Sequence, residues 1–202
     1  MMSKNKSTDS KSRFDHLLGL MSSSKFINMT GLANELPYYI CPFEVEDTVE
    51  MYQRITQLKN QLELKGISVF EINLYRLVIE HLENVGEKDS IIEKESSLSR
   101  AERLNTLSSI TDAEEFICPI IYEKIKEADF KIIFITGVGE VFPYIRTHNV
   151  LTNLQVLYTD KPVVLFFPGN YDTDNEKGSN LTLFGRLDDR YYRAFNIFRC
   201  QL

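Results

Sequence analysis

Gly137 and Gly139 are the residues of this chain that most resemble a phosphate-binding element. They follow an apolar segment at 130–136 in which a strand is predicted, and glycines after a strand let backbone N–H groups approach a phosphate at a helix N-terminus. The rest of such a motif is missing, because a dinucleotide fingerprint needs a third small residue where Phe142 stands, and a phosphate-binding loop needs a lysine followed by serine or threonine. Glu140 also places a negative charge beside the turn. We interpret the glycines as allowing a sharp turn, and a degenerate nucleotide-binding or hydrolytic domain is the alternative.

A second glycine-containing turn is predicted at 168–170, after the apolar segment 162–167. Open parallel sheets bind ligands at the carboxyl ends of their strands, so both turns are expected to share one edge of the sheet. Arginine suits bidentate binding of carboxylate or phosphate, although an exposed arginine more commonly pairs with acidic residues at the surface. The candidate binding edge comprises Gly137, Gly139, Glu140, Arg146, Pro168, Gly169, Asn170, Tyr171, Arg186 and Arg193.

The acidic and histidine residues do not predict a metal site. The acidic loop at 172–176 begins like a calcium loop, but Lys177 and Leu183 stand where the turn glycine and the closing glutamate belong. No histidine has a histidine, cysteine or carboxylate three or four residues away, as a zinc site would require. The three histidines are His16, His81 and His148.

The cysteines do not indicate a catalytic nucleophile. Cys41 and Cys118 lie in apolar segments and are expected to be buried structural thiols. Cys200 follows Arg199, a cation that is expected to lower a thiol pKa, and it is therefore the most reactive candidate. The sequence also lacks a Gly-x-Ser-x-Gly elbow. We expect no catalytic residue, no metal and no cofactor.

These residues are carried by an alternation of predicted strands and helices. Strands buried on both faces and joined through a helix should be parallel, with a right-handed crossover. The fold class is therefore α/β, with three layers and a mostly parallel central sheet flanked by helices, similar to Rossmann-like or P-loop-like domains without the phosphate-binding motif. Strands are predicted at 36–43, 67–72, 130–136 and 162–167, and helices at 14–21, 47–65, 74–85 and 141–154.

The predicted domain organisation is a single α/β domain at 13–202. Residues 1–12 are polar and are predicted to be a disordered tail, and the charged, serine-rich stretch 87–110 is predicted to be a flexible insertion of two short helices. Thr111 with Glu114 resembles a capping box, after which Pro119 must kink or restart the helix.

Composition limits the possible partners and location. The formal net charge of -6 at pH 7 repels nucleic acid, so no direct nucleic-acid partner is expected. No apolar run approaches the roughly 20 residues that cross a bilayer, so no membrane partner is expected either. An odd number of widely spaced cysteines argues for a reducing compartment, and we expect a cytoplasmic protein.

Several motifs resemble the BrxB family along residues 10–200. The middle motif is Gly137–Tyr144 (Gly-Val-Gly-Glu-Val-Phe-Pro-Tyr), and Asn34–Pro37 and Glu71–Tyr75 are similar to the N-terminal half. The C-terminal signature comprises Phe166–Tyr171, Leu183–Leu187 and Tyr191–Asn196.

This resemblance implies a component of a BREX system, which excludes bacteriophage and accompanies host DNA methylation. Its implied partners are an alkaline-phosphatase-superfamily protein (PglZ), first, and an adenine-specific methyltransferase (PglX) or a large ATPase (BrxC). The resemblance brings no catalytic residue with it. The resulting hypothesis is a non-catalytic assembly component that joins other BREX proteins.

Overall fold

A computed structural model describes residues 2–30, 36–174, 178–183, 187–190 and 194–201. It shows the predicted three-layer α/β fold, in which a mostly parallel central sheet is flanked by helices. The strands are β1 (Tyr38–Phe43), β2 (Val69–Asn73), β3 (Ile132–Thr136), β4 (Val163–Asp174), β5 (Gly178–Leu183), β6 (Leu187–Arg190) and β7 (Phe195–Asn196). The helices are α1 (Met2–Met21), α2 (Ser24–Ile27), α3 (Thr48–Leu64), α4 (Leu74–Asn84), α5 (Lys88–Lys94), α6 (Arg100–Ile110), α7 (Cys118–Ile125) and α8 (Thr147–Leu157).

The central strands lie in the order β2-β3-β4-β1-β7. β1 pairs in parallel with the first half of β4, from Tyr38 opposite Val163 to Phe43 opposite Pro168. β4 then continues to Asp174 and pairs antiparallel with β5, which pairs antiparallel with β6. The prediction of a turn at 168–170 is therefore wrong, because these residues lie inside a strand. Gly169 stands where the parallel pairing ends and the antiparallel pairing begins, with φ +153°.

By contacts the chain divides into two compact units. The first contains residues 1–71, 129–134 and 159–202, and the second contains 72–128 and 135–158. The core of the first unit is built where α1 and α3 pack with central strands. Among its buried residues are Leu17 and Met21 of α1, Leu58 and Leu62 of α3, and Phe166 of β4. The helical spacing on α3 explains this packing, because Ile55, Leu58 and Leu62 fall on one side of the helix.

The second unit is mainly helical. Pro119 lies in the first turn of α7, which follows a π-helical turn at Ala113–Ile117, so of the predicted alternatives, a kink or a restart at this proline, the structure shows a restart. The thiol of Cys118 donates to the carbonyl of Val150, which joins α7 to α8. His81 is 7% exposed, stacks on Phe116 and places Nε2 2.9 Å from the carbonyl of Ile110. It is thus a packing residue of this unit.

Residues 87–110 contain the two short helices α5 and α6. Neither helix has a buried residue. α6 begins with a complete capping box, in which the Ser99 hydroxyl accepts from the Glu102 N–H and the Glu102 carboxylate accepts from the Ser99 N–H. Local capping therefore supports a helix that buries little apolar surface.

Two predicted helix boundaries differ from the structure. α1 extends back to Met2, over residues for which the sequence predicted a disordered tail. α8 begins at Thr147 rather than near Val141, and 138–146 form turns. Pro143 accounts for the second difference, since its ring disfavours the helical conformation for the residue before it. No helix in the described ranges is long and apolar enough to span a membrane.

Candidate functional site

In the second unit, Gly137 lies against the beginning of α4. Its φ of +77° is a conformation that favours glycine. A Cβ at this position would lie 2.8 Å from Oδ1 of Asn73 and 3.0 Å from the backbone nitrogens of Leu74 and Tyr75. Asn73 is the N-cap of α4, and its side chain accepts from the Arg76 N–H at 3.0 Å. The glycine therefore meets two demands of the fold, a left-handed backbone and a close approach to a helix cap.

The turn after β3 does not lead directly into a helix. Gly139 is half-buried and Glu140 is exposed, and α8 starts only at Thr147. A dinucleotide fingerprint places phosphate at the N-terminus of the helix that follows its glycines. Here no helix N-terminus follows Gly139 directly, because the chain between the glycines and α8 forms turns.

Arg146 lines a cavity of about 180 Å³ in the second unit. It is the N-cap residue of α8 rather than an interior residue, because the helix begins later than predicted. The cavity is also lined by Asp112, and its other polar and apolar lining residues are Ser108, Ala113, Pro143, Tyr144, Ile145 and Asn149. Of these lining residues, only Arg146 was predicted from the sequence as a candidate binding residue.

Asp112 is the lining residue with the clearest local role. Its Oδ1 accepts from the N–H groups of Glu114 and Glu115, both at 2.9 Å, so it caps the π-helical turn. The capping box predicted from Thr111 is wrong, since the Thr111 hydroxyl donates to the Leu107 carbonyl at the end of α6. Asp112, followed three positions later by Glu115, was the signal that could have identified this cap.

Tyr144 borders the same cavity. Its hydroxyl donates to the carbonyl of Glu140 at 3.4 Å. Burial, followed by the nearby Tyr75 and Glu140, raises the pKa of Tyr144 to about 12. The phenol is therefore protonated at neutral pH, where it acts as a hydrogen-bond donor and not as a base.

In the first unit, Tyr171 joins β4 to the segment that leads into β7. The side chain is 2% exposed, and its hydroxyl donates to the carbonyl of Ala194 at 2.6 Å. Asn196 donates from Nδ2 to the carbonyl of Tyr171 at 2.9 Å. Pro168 and Gly169 are buried and Asn170 is exposed. Most of the predicted residues in this unit therefore take part in packing or strand pairing.

The carboxyl end of β1 is held by α1. Arg13 donates from Nη2 to the carbonyl of Pro42 at 2.7 Å, and its guanidinium lies 4.1 Å from the ring centroid of Phe198. On the next turn of the helix, His16 places Nε2 3.2 Å from the carbonyl of Ile197. Through these contacts, Arg13 and His16 attach α1 to β1 and to the C-terminal segment.

The thiols are less acidic than an ordinary cysteine. Burial raises the pKa of Cys41 to about 12, against a small opposing effect of Arg13. Burial, followed by Asp112, raises the pKa of Cys118 to about 12. Burial also raises the pKa of Cys200, so the lowered pKa predicted from Arg199 is wrong.

The ten predicted edge residues are divided among the two compact units and the part of the chain outside the described ranges. Gly137, Gly139, Glu140 and Arg146 belong to the second unit, and residues 168–171 belong to the first. Arg186 and Arg193 lie outside the described residues. Within the described ranges, no group of three or more His, Cys, Asp or Glu side chains is arranged to hold a metal ion.

Comparison with known proteins gives consistent matches. The model of the BrxB family, described as BREX protein BrxB, matches residues 70–197. A BREX protein BrxB of Bacillus cereus (strain H3081.97) is 32% identical over 190 residues, which cover 92% of this chain and 95% of that protein. A BREX protein BrxB of Escherichia coli O9:H4 (strain HS) is 23% identical over 186 residues, covering 92% of this chain and 90% of that protein. No solved structure matches the chain.

Proposed function

The chain belongs to the BrxB family of BREX proteins, and from this premise we propose that it is a non-catalytic assembly component of a BREX-type phage-defence system. In this role it joins other BREX proteins. The observation that carries the proposal is the extent of the relationship, since the match to the Bacillus cereus protein covers 92% of this chain and 95% of the relative. Because the match covers nearly all of both proteins, the proposed role applies to the whole chain and not to a part of it.

The use of the polar groups at the candidate edge supports a binding role over a catalytic one. The hydroxyl of Tyr171 is hydrogen-bonded inside the first unit, and Gly137 is required by its contact with the cap of α4. The thiols of Cys41 and Cys118 are protonated at neutral pH, and a thiol is a nucleophile only as a thiolate. These groups therefore contribute to hydrogen bonding and packing within the fold.

Co-purification tests the proposal. The tagged chain is co-expressed with the PglZ, PglX and BrxC proteins of its own system, and the tag alone is the control. We expect at least one of them, with PglZ first, to be retained in a stoichiometric amount that the control does not retain. Retention of none of the three would overturn the assembly role.

A thermal-shift screen tests the rival function of a nucleotide-binding or hydrolytic domain. A nucleotide at a hundred times its Kd would stabilise the fold by about 2.7 kcal/mol, which raises the Tm of a chain of this size by roughly 5–10 °C. We expect nucleotides with Mg²⁺ to leave the Tm unchanged. A saturable rise that Arg146→Ala abolishes would favour the rival function.

A further inference from the structure

The cavity beside Arg146, here called the α6–α8 cavity, is lined by the ends of two helices of the second unit. Ser108 belongs to the last turn of α6, and Asn149 belongs to the first turn of α8. The C-terminal end of a helix carries a partial negative charge, and the N-terminal end carries a partial positive one. The backbone alone therefore gives this cavity a negative side and a positive side.

The charged side chains of the lining have the same polarity as the helix ends. Asp112 follows the C-terminal end of α6, and Arg146 is the N-cap residue of α8. Neither helix offsets its own end, because the last turn of α6 has no basic residue and the first turn of α8 has no acidic residue. Acids usually stand at helix N-termini and bases at C-termini. Here the two side chains increase the polarity of the cavity.

The opposite charges of the lining are not joined to each other. Oδ1 of Asp112 accepts from the N–H groups of Glu114 and Glu115, which holds the carboxylate in place, and Asp112 forms no ion pair with any residue in the described ranges. Arg146 has an interaction of its own within the chain. A guanidinium has five N–H donors, so one partner leaves donors for a ligand.

The remaining lining residues suit a small polar molecule. The side chains of Ser108 and Asn149 each donate and accept, and neither is hydrogen-bonded to a described residue. Ala113 and Ile145 are 6% and 3% exposed and add apolar surface. The volume of about 180 Å³ is roughly that of six water molecules at about 30 Å³ each. It lies below the roughly 300–1,000 Å³ of sites for drug-sized ligands, which makes the cavity too small for a nucleotide.

We propose that the α6–α8 cavity binds a small zwitterion of the α-amino acid class, with the ammonium group at Asp112 and the carboxylate at Arg146 and the start of α8. An α-amino acid carries its two charges on one carbon atom, so a single small molecule meets both sides of the cavity. An anion alone would be repelled by Asp112, and a cation alone would be repelled by Arg146. This binding site goes beyond the assembly role proposed above and does not depend on it.

A series of three probes tests the two charges separately. L-alanine carries both, propionate lacks the ammonium group, and ethylammonium lacks the carboxylate. Two-dimensional amide NMR of the full chain follows the N–H signals of Glu114 and Glu115, which donate to Asp112, and of Thr147 at the start of α8. We expect saturable shifts at both places with millimolar L-alanine. Either single-charge probe should bind at least about tenfold more weakly, as expected when one charged hydrogen-bonding group is lost.

Asp112→Asn tests the residue that holds the ammonium group. Asparagine and aspartate are about equally good N-caps, so the variant removes the charge and keeps the acceptor of the cap, and its urea midpoint should match that of wild type. We expect it to bind L-alanine at least about tenfold more weakly, a factor that corresponds to about 1.4 kcal/mol, and Arg146→Gln should also weaken binding. The matched control is Asp89→Asn, an exposed aspartate of the same unit outside the lining, which should bind L-alanine like wild type.

Three results would overturn the zwitterion site. The first is binding of propionate or ethylammonium as tight as that of L-alanine, which would indicate an anion or a cation site. The second is undiminished binding of L-alanine by Asp112→Asn, which would place the ligand elsewhere. The third is the absence of saturable shifts with L-alanine, L-serine and L-valine alike. All three would leave the assembly role standing, because co-purification with BREX proteins tests that role separately.

Discussion

Replacing Gly137 with alanine should destabilise the protein through two separable effects. The first is conformational, because φ is +77° and an L-residue in the left-handed region costs about 1–2 kcal/mol. The second is steric, because the new Cβ would lie 2.8 Å from the Asn73 amide oxygen and 3.0 Å from two backbone nitrogens of α4. The backbone atoms cannot rotate away as a flexible side chain could.

The steric effect should be the larger of the two. Overpacking of a well-packed site typically costs about 1–3 kcal/mol, so we expect Gly137→Ala to lower the free energy of unfolding by roughly 2–5 kcal/mol in all. The Tm should fall by about 2–4 °C for each kcal/mol in a chain of this size.

Gly66 and Gly86 provide matched controls. Their φ angles are +76° and +75°, close to that of Gly137, but a Cβ at either position would meet nothing within 4 Å. Gly66→Ala and Gly86→Ala should therefore lose only the conformational part, about 1–2 kcal/mol. The measurement is urea denaturation of the three variants and wild type, with the slope of the unfolding free energy against urea compared first.

A loss at Gly137 no greater than the losses at Gly66 and Gly86 would refute the reasoning. In that case the close approach to α4 would not constrain the residue, and the glycine would need another explanation, such as a ligand. A loss of the expected size would mean that the fold alone accounts for this glycine.

Other contacts give further expectations. Tyr171→Phe should lower the free energy of unfolding by about 1–3 kcal/mol, because the buried carbonyl of Ala194 loses its donor; urea denaturation measures this. Ser99→Ala should lower the stability of α6 by about 1 kcal/mol, which hydrogen exchange should show as faster exchange of the α6 amides with little change in α3. Cys41 and Cys118 have folded pKa values of about 12 against an ordinary 9.0. The unfolded chain therefore loses these protons first, and stability should fall as pH rises from 9 toward 12. C41A/C118A should show a smaller fall over that range, and an equal fall would contradict the assignment to these thiols.

The parts of the fold that burial determines were predictable from the sequence. β3 and the first half of β4 are continuous apolar runs, and strands of this kind are buried on both faces. α3 and α4 were predictable because their apolar residues recur at helical spacing up to Gly66 and Gly86, where a positive φ ends each helix. In these segments local pattern and tertiary burial agree.

The parts that depend on distant pairing were not predictable in the same way. Pro168, Gly169 and Asn170 are typical turn residues, yet they lie in a strand because β1 pairs with Pro168 from a distant position in the sequence and β5 pairs with Gly169 and Asn170. The first turn of α8 was misplaced because the apolar residues Val141 and Ile145 fit a helical pattern while being buried in turns. Burial alone does not distinguish the two conformations.

The residues that surround Arg146 could also not be predicted from the sequence. Its charge and its position after a glycine turn could be noted, but the cavity that it lines is completed by Ser108 and Asp112, which come from the end of α6 and the turn before α7. Such a juxtaposition depends on how helices pack. The sequence predicts a residue type suited to binding, and the fold decides which other side chains accompany it.

The continuation of β4 past Pro168 limits how this protein could change its function. In many α/β proteins the main chain bends away after a central strand, and the gap left behind admits a small molecule. Here the same strand continues to Asp174 and pairs antiparallel with β5, so no loop follows Pro168 directly. Side-chain substitutions there would leave the backbone path of β4 unchanged. Opening a cleft there would require a different backbone path after Pro168. Insertions or deletions produce such a change more readily than point mutations do.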